Sequence, residues 1–434
     1  MSEFIKRQPP VRIIAFGFAF VILLGSLLLV LPCSVKDGIS LSYTDALYTS
    51  TSAVCVTGLV TIDIADTFTP LGQFFVAMLI QIGGLGVASI GAGLILLVRR
   101  KMDLKGRNLI KEAMNLDSGK GVVRFIRDVF VATLVFELIG AVLSFTVFIR
   151  DYPFSRALGI SLFHSIASFN NSGFDILGNM QSLSPYKDNL MLNLTTSFLV
   201  FFGGIGFLVI KELWTKKLNF RKLSMHAKVV LSVSGVLIVA GTLLIKITEG
   251  DNITWLGAFF TSISSRTAGF STFSLTNFSR AGLLVVMVLM FIGASPGSTG
   301  GGIKTSTFFV IFKGIFSAAT NKNEKAFRYA IPKDAFKKAA VIASLALSAI
   351  ITSSFVISLI EPGLNLTDIL FEMTSAFATV GLSTGITPSL ATGSKIISIF
   401  MMYMGRLGPL TIASMWYFSR GENIRFPEGN ISVG

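Results

Sequence analysis

Long apolar stretches alternate with short ones along the 434 residues of this chain. The long ones fall near 11–31, 70–98, 123–149, 190–213, 227–247, 281–315, 338–360 and 394–418. A helix needs about 20 apolar residues to cross hydrocarbon, so the pattern predicts eight spans. Shorter apolar stretches near 41–54, 158–170, 255–265 and 367–378 lie inside each pair of spans. Their length suits helices that enter a membrane and turn back. The predicted unit, met four times, is span, half-helix, turn, span.

The short stretches share a register. Each closes on a glycine: Gly58, Gly173, Gly269 and Gly381. Ten residues earlier stand Tyr48, Phe163, Phe259 and Phe371; one residue later stand Leu59, Phe174, Phe270 and Leu382. Tandem copies of one topology predict parallel repeats about an axis along the membrane normal. The expected boundaries are 1–100, 101–216, 217–336 and 337–434. The expected fold is an all-α membrane protein of four tandem repeats, with eight transmembrane helices and four re-entrant pore helices around one central pore. A second echo lies in the even-numbered spans, at Gln81–Gly86, Phe202–Phe207, Phe291–Gly297 and Met404–Pro409. Close helix packing by small residues explains the first two as well as any functional role.

Composition agrees with the pattern. The chain is 52% hydrophobic and 14% charged, against about 25% charged in soluble domains. Lys6 and Arg7 precede the first span without a small-residue cleavage site, so that span reads as retained. The net charge of +14 sits in clusters: Arg99 to Lys111, Lys211 to Lys228 and Lys322 to Lys338. They follow spans two, four and six, which places both termini on the cytoplasmic side. Charge so placed reads as topology and lipid contact, and nucleic acid is not an expected partner. Cys33 and Cys55 are too few for a disulfide framework.

The turns suggest cation chemistry. A cation entering a membrane must exchange water for oxygen ligands, and backbone carbonyls supply them without a trapping charge. Carbonyls point inward only where the backbone takes unusual dihedrals, which glycine allows. The half-helix before each turn aims a negative dipole end of roughly −0.5 charge at the same place. Thr379-Val380-Gly381 matches the start of the Thr-Val-Gly-Tyr-Gly filter of potassium channels.

On these residues the chain resembles the potassium transporters of the Trk/Ktr/HKT superfamily, most closely the bacterial Ktr membrane subunit of KtrB or KtrD type. The matching stretches are Ser52–Leu59, Ser168–Phe174, Arg266–Phe270, Ser375–Leu382, Phe291–Lys304, Met404–Pro409 and Ile424–Gly429. The resemblance implies a selectivity filter of Cys55, Val56, Thr57, Gly58, Asn171, Ser172, Gly173, Thr267, Ala268, Gly269, Thr379, Val380 and Gly381, binding potassium through carbonyls. Glycine in all four turns favours potassium, since serine in the first turn marks sodium-transporting plant relatives. Potassium is then the transported substrate, and no cofactor is implied. The implied partners are a second copy of the chain, as a homodimer, and a cytosolic nucleotide-binding RCK ring of KtrA or KtrC type. The implied place is a bacterial plasma (inner) membrane.

Gly293, Ala294, Ser295, Pro296, Gly297, Ser298, Thr299, Gly300, Gly301 and Gly302 break the sixth span, because proline and five glycines cannot continue a helix. A phosphate loop does not fit: Ile303 separates Gly302 from Lys304, and no strand precedes. Broken backbone at membrane depth suits a mobile loop lining a cavity, and the resemblance implies an intramembrane gate. Arg406, inside the eighth span, should face a cavity and be paired; the resemblance places it with the gate. Arg266 and Glu372 are expected to pair and brace two turns. Glu137 has no partner visible in the sequence, and His164 reads as a packed half-helix residue. Asp63, Asp66, Asp175, Glu249 and Asp251 should lie outside, either concentrating cations or as solvated loop residues. The rivals are a sodium-coupled or sodium-conducting transporter of the same fold, and a membrane-embedded enzyme. Against the enzyme, the chain has two histidines, no HExxH motif and no clustered carboxylates inside the spans.

Overall fold

In the computed structural model, residues 9–87, 89–91, 93, 121–332 and 334–414 are described. The first basic cluster, Lys6, Arg7, Lys333 and the closing Ile424–Gly429 stretch lie outside them. The described residues are helical apart from loops and a hairpin of two two-residue strands, β1 (Lys325–Ala326) and β2 (Tyr329–Ala330).

A long helix and two shorter ones follow one another four times. The first set is α1 (Pro10–Val30), α2 (Tyr43–Cys55) and α3 (Pro70–Leu85). The second is α4 (Val122–Phe148), α5 (Phe154–Phe169) and α6 (Leu190–Ile205), continued by α7 (Phe207–Thr215). The third is α8 (Met225–Glu249), α9 (Trp255–Ser264) and α10 (Arg280–Phe291), with α11 (Thr305–Thr320) beyond a loop. The fourth is α12 (Ala335–Ile360), α13 (Leu366–Ala378) and α14 (Thr392–Leu407), then α15 (Pro409–Ser414). Starts are written locally. Ser42, Thr69, Asn189, Ser224, Thr254 and Ser279 each cap a helix by accepting a backbone N–H, which satisfies a donor the helix cannot.

Among the described residues each even-numbered expected span is interrupted. Among the described residues four helices are long and apolar enough to cross a membrane, and α6 with α7 makes a fifth only as a pair bent by 100°. The cause is backbone chemistry. Gly86, Gly206 and Gly408 take φ of +84°, +91° and +91° and end α3, α6 and α14. The apolar pattern runs straight through them; the helix does not.

Glycines also set how close the helices come. A methyl at Gly83, Gly203 or Gly405 would lie 2.0, 1.9 or 1.7 Å from the carbonyl oxygen of Val54, Phe169 or Phe377. Each of those carbonyls stands four residues before an expected filter glycine. The packing explanation of the second echo therefore holds in sets one, two and four. A further echo was not visible in the sequence. Gly25, Gly140 and Gly241 abut Ser50, Ser165 and Ser262 and also Leu79, Leu199 and Leu289. Those serines donate to the carbonyls of Ile22, Glu137 and Ile238, three residues before each glycine. One joint thus fastens the long helix and the two shorter ones in three sets.

Gly203→Ala should lower the stability of the detergent-purified protein by about 1–3 kcal/mol, because the neighbouring carbonyl must move. Gly235→Ala meets nothing within 4 Å and should leave it unchanged. Thermal unfolding of both variants against the parent checks this; equal midpoints would refute the packing role.

Candidate functional site

The short helices α2, α5, α9 and α13 all end at the glycine turns, and the turns meet. A methyl at Gly58 would lie 2.2 Å from the Ser172 carbonyl oxygen, and one at Gly173 2.5 Å from that of Ala268. One at Gly269 would lie 2.2 Å from the Val380 oxygen, and one at Gly381 2.2 Å from that of Thr57. The contacts run from each set to the next and return to the first, so the four turns form a closed ring. φ at the four glycines is +92°, +72°, +76° and +94°. Side chains are thus excluded twice, by backbone hand and by the neighbouring carbonyl.

Most of the ring's N–H groups are already used. Thr57, Ser172 and Val380 each donate to the carbonyl five residues back, at Ser52, Ala167 and Ser375. Gly58 and Gly381 donate to the hydroxyls of Ser52 and Ser375. Val56, Asn171 and Thr379 hold φ of 58°, 58° and 51°, reversing the chain at the helix end. The third turn differs. Its helix stops at Ser264, and both Ala268 and Gly269 donate to Ser264. The aromatic register slips with it: Tyr48, Phe163 and Phe371 are buried, whereas Phe259 is half-buried beside a buried Phe260. Cys55, the first expected filter residue, is the buried last residue of α2.

Beyond the glycines a cavity of about 430 Å³ opens, lined by all four together with Asp63, Asp175 and Ser383. Asp63 and Asp66 are partly committed, accepting from the N–H of Met180 (2.6 Å) and Asn179 (3.1 Å). Burial pushes the Asp175 carboxyl up to about 7, with Asp63 and Asp66 adding to the rise. Glu249 is elsewhere, buried and accepting from the Ser279 N–H and hydroxyl, and the exposed side chain of Asp251 lies 3.9 Å from Lys246.

On the opposite side of the ring lies the broken sixth span. It is a loop, not a kinked helix: thirteen residues separate Phe291 from Thr305, pinched where Ile292 bridges Ile303. Gly301 N–H donates to the Thr379 hydroxyl at 3.0 Å. A methyl on Gly300 would meet Thr267 at 2.8 Å. Ser295 and Thr299 donate their N–H groups to Gly204 and Gly203 (3.0 and 3.2 Å), and Phe207 N–H donates to Gly297 (3.0 Å). The Lys304 ammonium donates to the Gly300 carbonyl at 2.7 Å. Pro296, Gly297 and Ser298 form the half-buried tip, whereas Ala294 and Ser295 are buried. Gly293 packs on Gly301, and Gly302 takes φ of +70°.

Arg406 is paired, as expected, but with carbonyls. Its guanidinium donates to Thr299 of the loop and to Gly83 and Gly84 at the end of α3. It clasps three sets together beneath the ring. The expected pair of Arg266 and Glu372 does not form. Arg266 donates to the Ser234 hydroxyl at 3.1 Å and leaves its Nε without a partner. Glu372 accepts from the hydroxyls of Ser383, at 2.9 Å, and Thr387. Local hydroxyls met each charge before a distant partner could. Glu137 does have a partner, the Asn170 side-chain amide at 3.1 Å, which also donates to Gln81. His164 packs as expected, 2.9 Å from the Thr196 hydroxyl and against Phe270.

Comparison with known proteins agrees with this geometry. The family model for the cation transport protein TrkH matches residues 13–417. The chain is 36% identical to the potassium/sodium uptake protein NtpJ of Enterococcus hirae, over 99% of this chain and 98% of that one. It is 35% identical to the Ktr system potassium uptake protein B of Bacillus subtilis, over 100% and 98%. The crystal structure of the potassium transporter TrkH from Vibrio parahaemolyticus shares the fold, with TM-score 0.74 at 17% identity over 94% of this chain and 85% of that one. The chain therefore belongs to the TrkH family of cation transport proteins.

Proposed function

We propose that the chain is the potassium-conducting pore subunit of a Ktr-type uptake system. The observation that carries this is the closed ring of four glycine turns, with the N–H groups of Thr57, Ser172, Ala268 and Val380 committed and all four glycines lining one cavity. Carbonyls left over by such a ring are the oxygen ligands a dehydrated potassium ion needs. Residues 55–58, 171–173, 267–269 and 379–381 form the selectivity filter. Ions move down their electrochemical gradient, aided by about 2.3 kcal/mol per charge per 100 mV.

The four helix sets are four repeats, bounded at 1–100, 101–216, 217–336 and 337–434, each a span, a re-entrant pore helix and a broken span around one pore. Both termini are cytoplasmic, and the cavity with Asp175 faces outward. Loop 293–302 with Arg406 is the gate, beneath the filter. The chain works as a homodimer under a cytosolic nucleotide-binding RCK ring, as the Ktr resemblance implies. A sodium-conducting or sodium-coupled reading keeps one support, the potassium/sodium name of the Enterococcus hirae relative. Four glycines without a serine weigh for potassium.

Gly381→Ser would set a side chain at φ +94° against the Thr57 carbonyl. The potassium-to-sodium flux ratio in proteoliposomes should fall roughly tenfold, ~1.4 kcal/mol; an unchanged ratio would remove Gly381 from the filter. Deleting 295–302 should raise potassium flux and weaken its dependence on the regulatory ring. Liposomes that conduct no faster after the deletion would take the gate assignment away.

A further inference from the structure

Behind the fourth wall of the ring sits a carboxylate for which the proposed mechanism has no use. Glu372 lies on α13, nine residues before Gly381, and is 1% exposed. Its acid oxygens accept from Ser383, two residues past Gly381, and from Thr387. The Ser383 hydroxyl in turn accepts from the Gly385 N–H at 2.9 Å and lies 3.0 Å from that of Thr387. The exit strand after the glycine is thus folded back onto its own pore helix. At the same register the other quarters carry Thr49, His164 and Phe260. Thr49 has no hydrogen-bond partner, His164 meets Thr196 on α6, and Phe260 is apolar. Of these four register positions only the fourth carries a carboxylate.

An ionised or hydrogen-bonded carboxyl at this depth is costly, and packing alone does not need it. What it fixes is the far end of Val380-Gly381-Leu382. The near end is fixed by Ser375, which accepts from both Val380 and Gly381. A carbonyl cage discriminates between cations only if it resists collapsing onto the smaller one. Resting on the potassium-pore reading, we propose that Glu372 is a specificity-determining positioning residue. It holds the fourth filter wall open to potassium by anchoring 383–387, without touching the ion.

The test is potassium and sodium flux in proteoliposomes of the full-length protein, for Glu372→Gln, Ser383→Ala, Thr387→Val and Thr49→Val. The first three each remove a bond to the carboxylate and should lower the potassium-to-sodium ratio roughly tenfold, the scale set by one charge-assisted hydrogen bond. Thr49→Val, equally buried but without a bond to lose, should keep the parent ratio. Parent-like ratios in the conducting variants overturn the proposal while leaving the pore reading intact. Loss of all three from the membrane assigns Glu372 to folding and overturns it too. A parent protein that conducts no potassium refutes the pore reading itself.

Discussion

The four turns face one constraint: a backbone buried in a membrane protein must satisfy its N–H groups without using its carbonyls. In lipid each unsatisfied group costs several kcal/mol. Here the ends of the short helices before the turns resolve the conflict. They take the turn N–H groups through carbonyls five residues back and, in two quarters, through Ser52 and Ser375. That requires an abrupt reversal after each helix, hence the positive φ at Val56, Asn171 and Thr379. It also requires that quarters touch backbone to backbone, hence glycine at the contact. The close approach of Gly83, Gly203 and Gly405 follows, since the helices behind the turns must come as near as the turns themselves.

The same constraint shapes the loop beneath. Residues 292–304 carry a backbone no helix satisfies, so the surrounding quarters do so. Gly203, Gly204 and Thr379 receive its N–H groups, and Arg406 and Lys304 donate to its carbonyls. Each such bond contributes about 0.5–1.5 kcal/mol, more for the charged donors. Those bonds can be exchanged for water one at a time, unlike a packed apolar core. A loop so held is ordered yet not locked, which suits the proposed gate.

Much of this was legible in the sequence because it is spaced by backbone geometry. The glycine register, the short helices before it, the broken sixth span and a paired Arg406 all rest on residue types with few alternatives. The helix breaks at Gly86, Gly206 and Gly408 were not legible, since apolar runs continue through a glycine whether or not it ends the helix. Nor was the partner of Glu372. Opposite charge made Arg266 the natural guess, but Ser383 and Thr387 lie closer in chain and cost less entropy to recruit. The third quarter misled the aromatic count by one residue because its helix stops early and its turn is longer.

That quarter also explains why the loop at 292–304 exists once. In the other three, Gly83, Gly203 or Gly405 fills the space under the short helix of its own set, against Val54, Phe169 or Phe377. In the third, α10 stops at Phe291 and the space beneath the ring is filled by Gly300 and Gly301, packed on Thr267 and Thr379. A fourfold-symmetric chain could not do this, because four such loops would compete for one axial space. Unequal quarters within a single chain let one wall give up its helix to form this loop. The remaining three keep a glycine packed against the carbonyl at the end of the short helix, at Val54, Phe169 and Phe377.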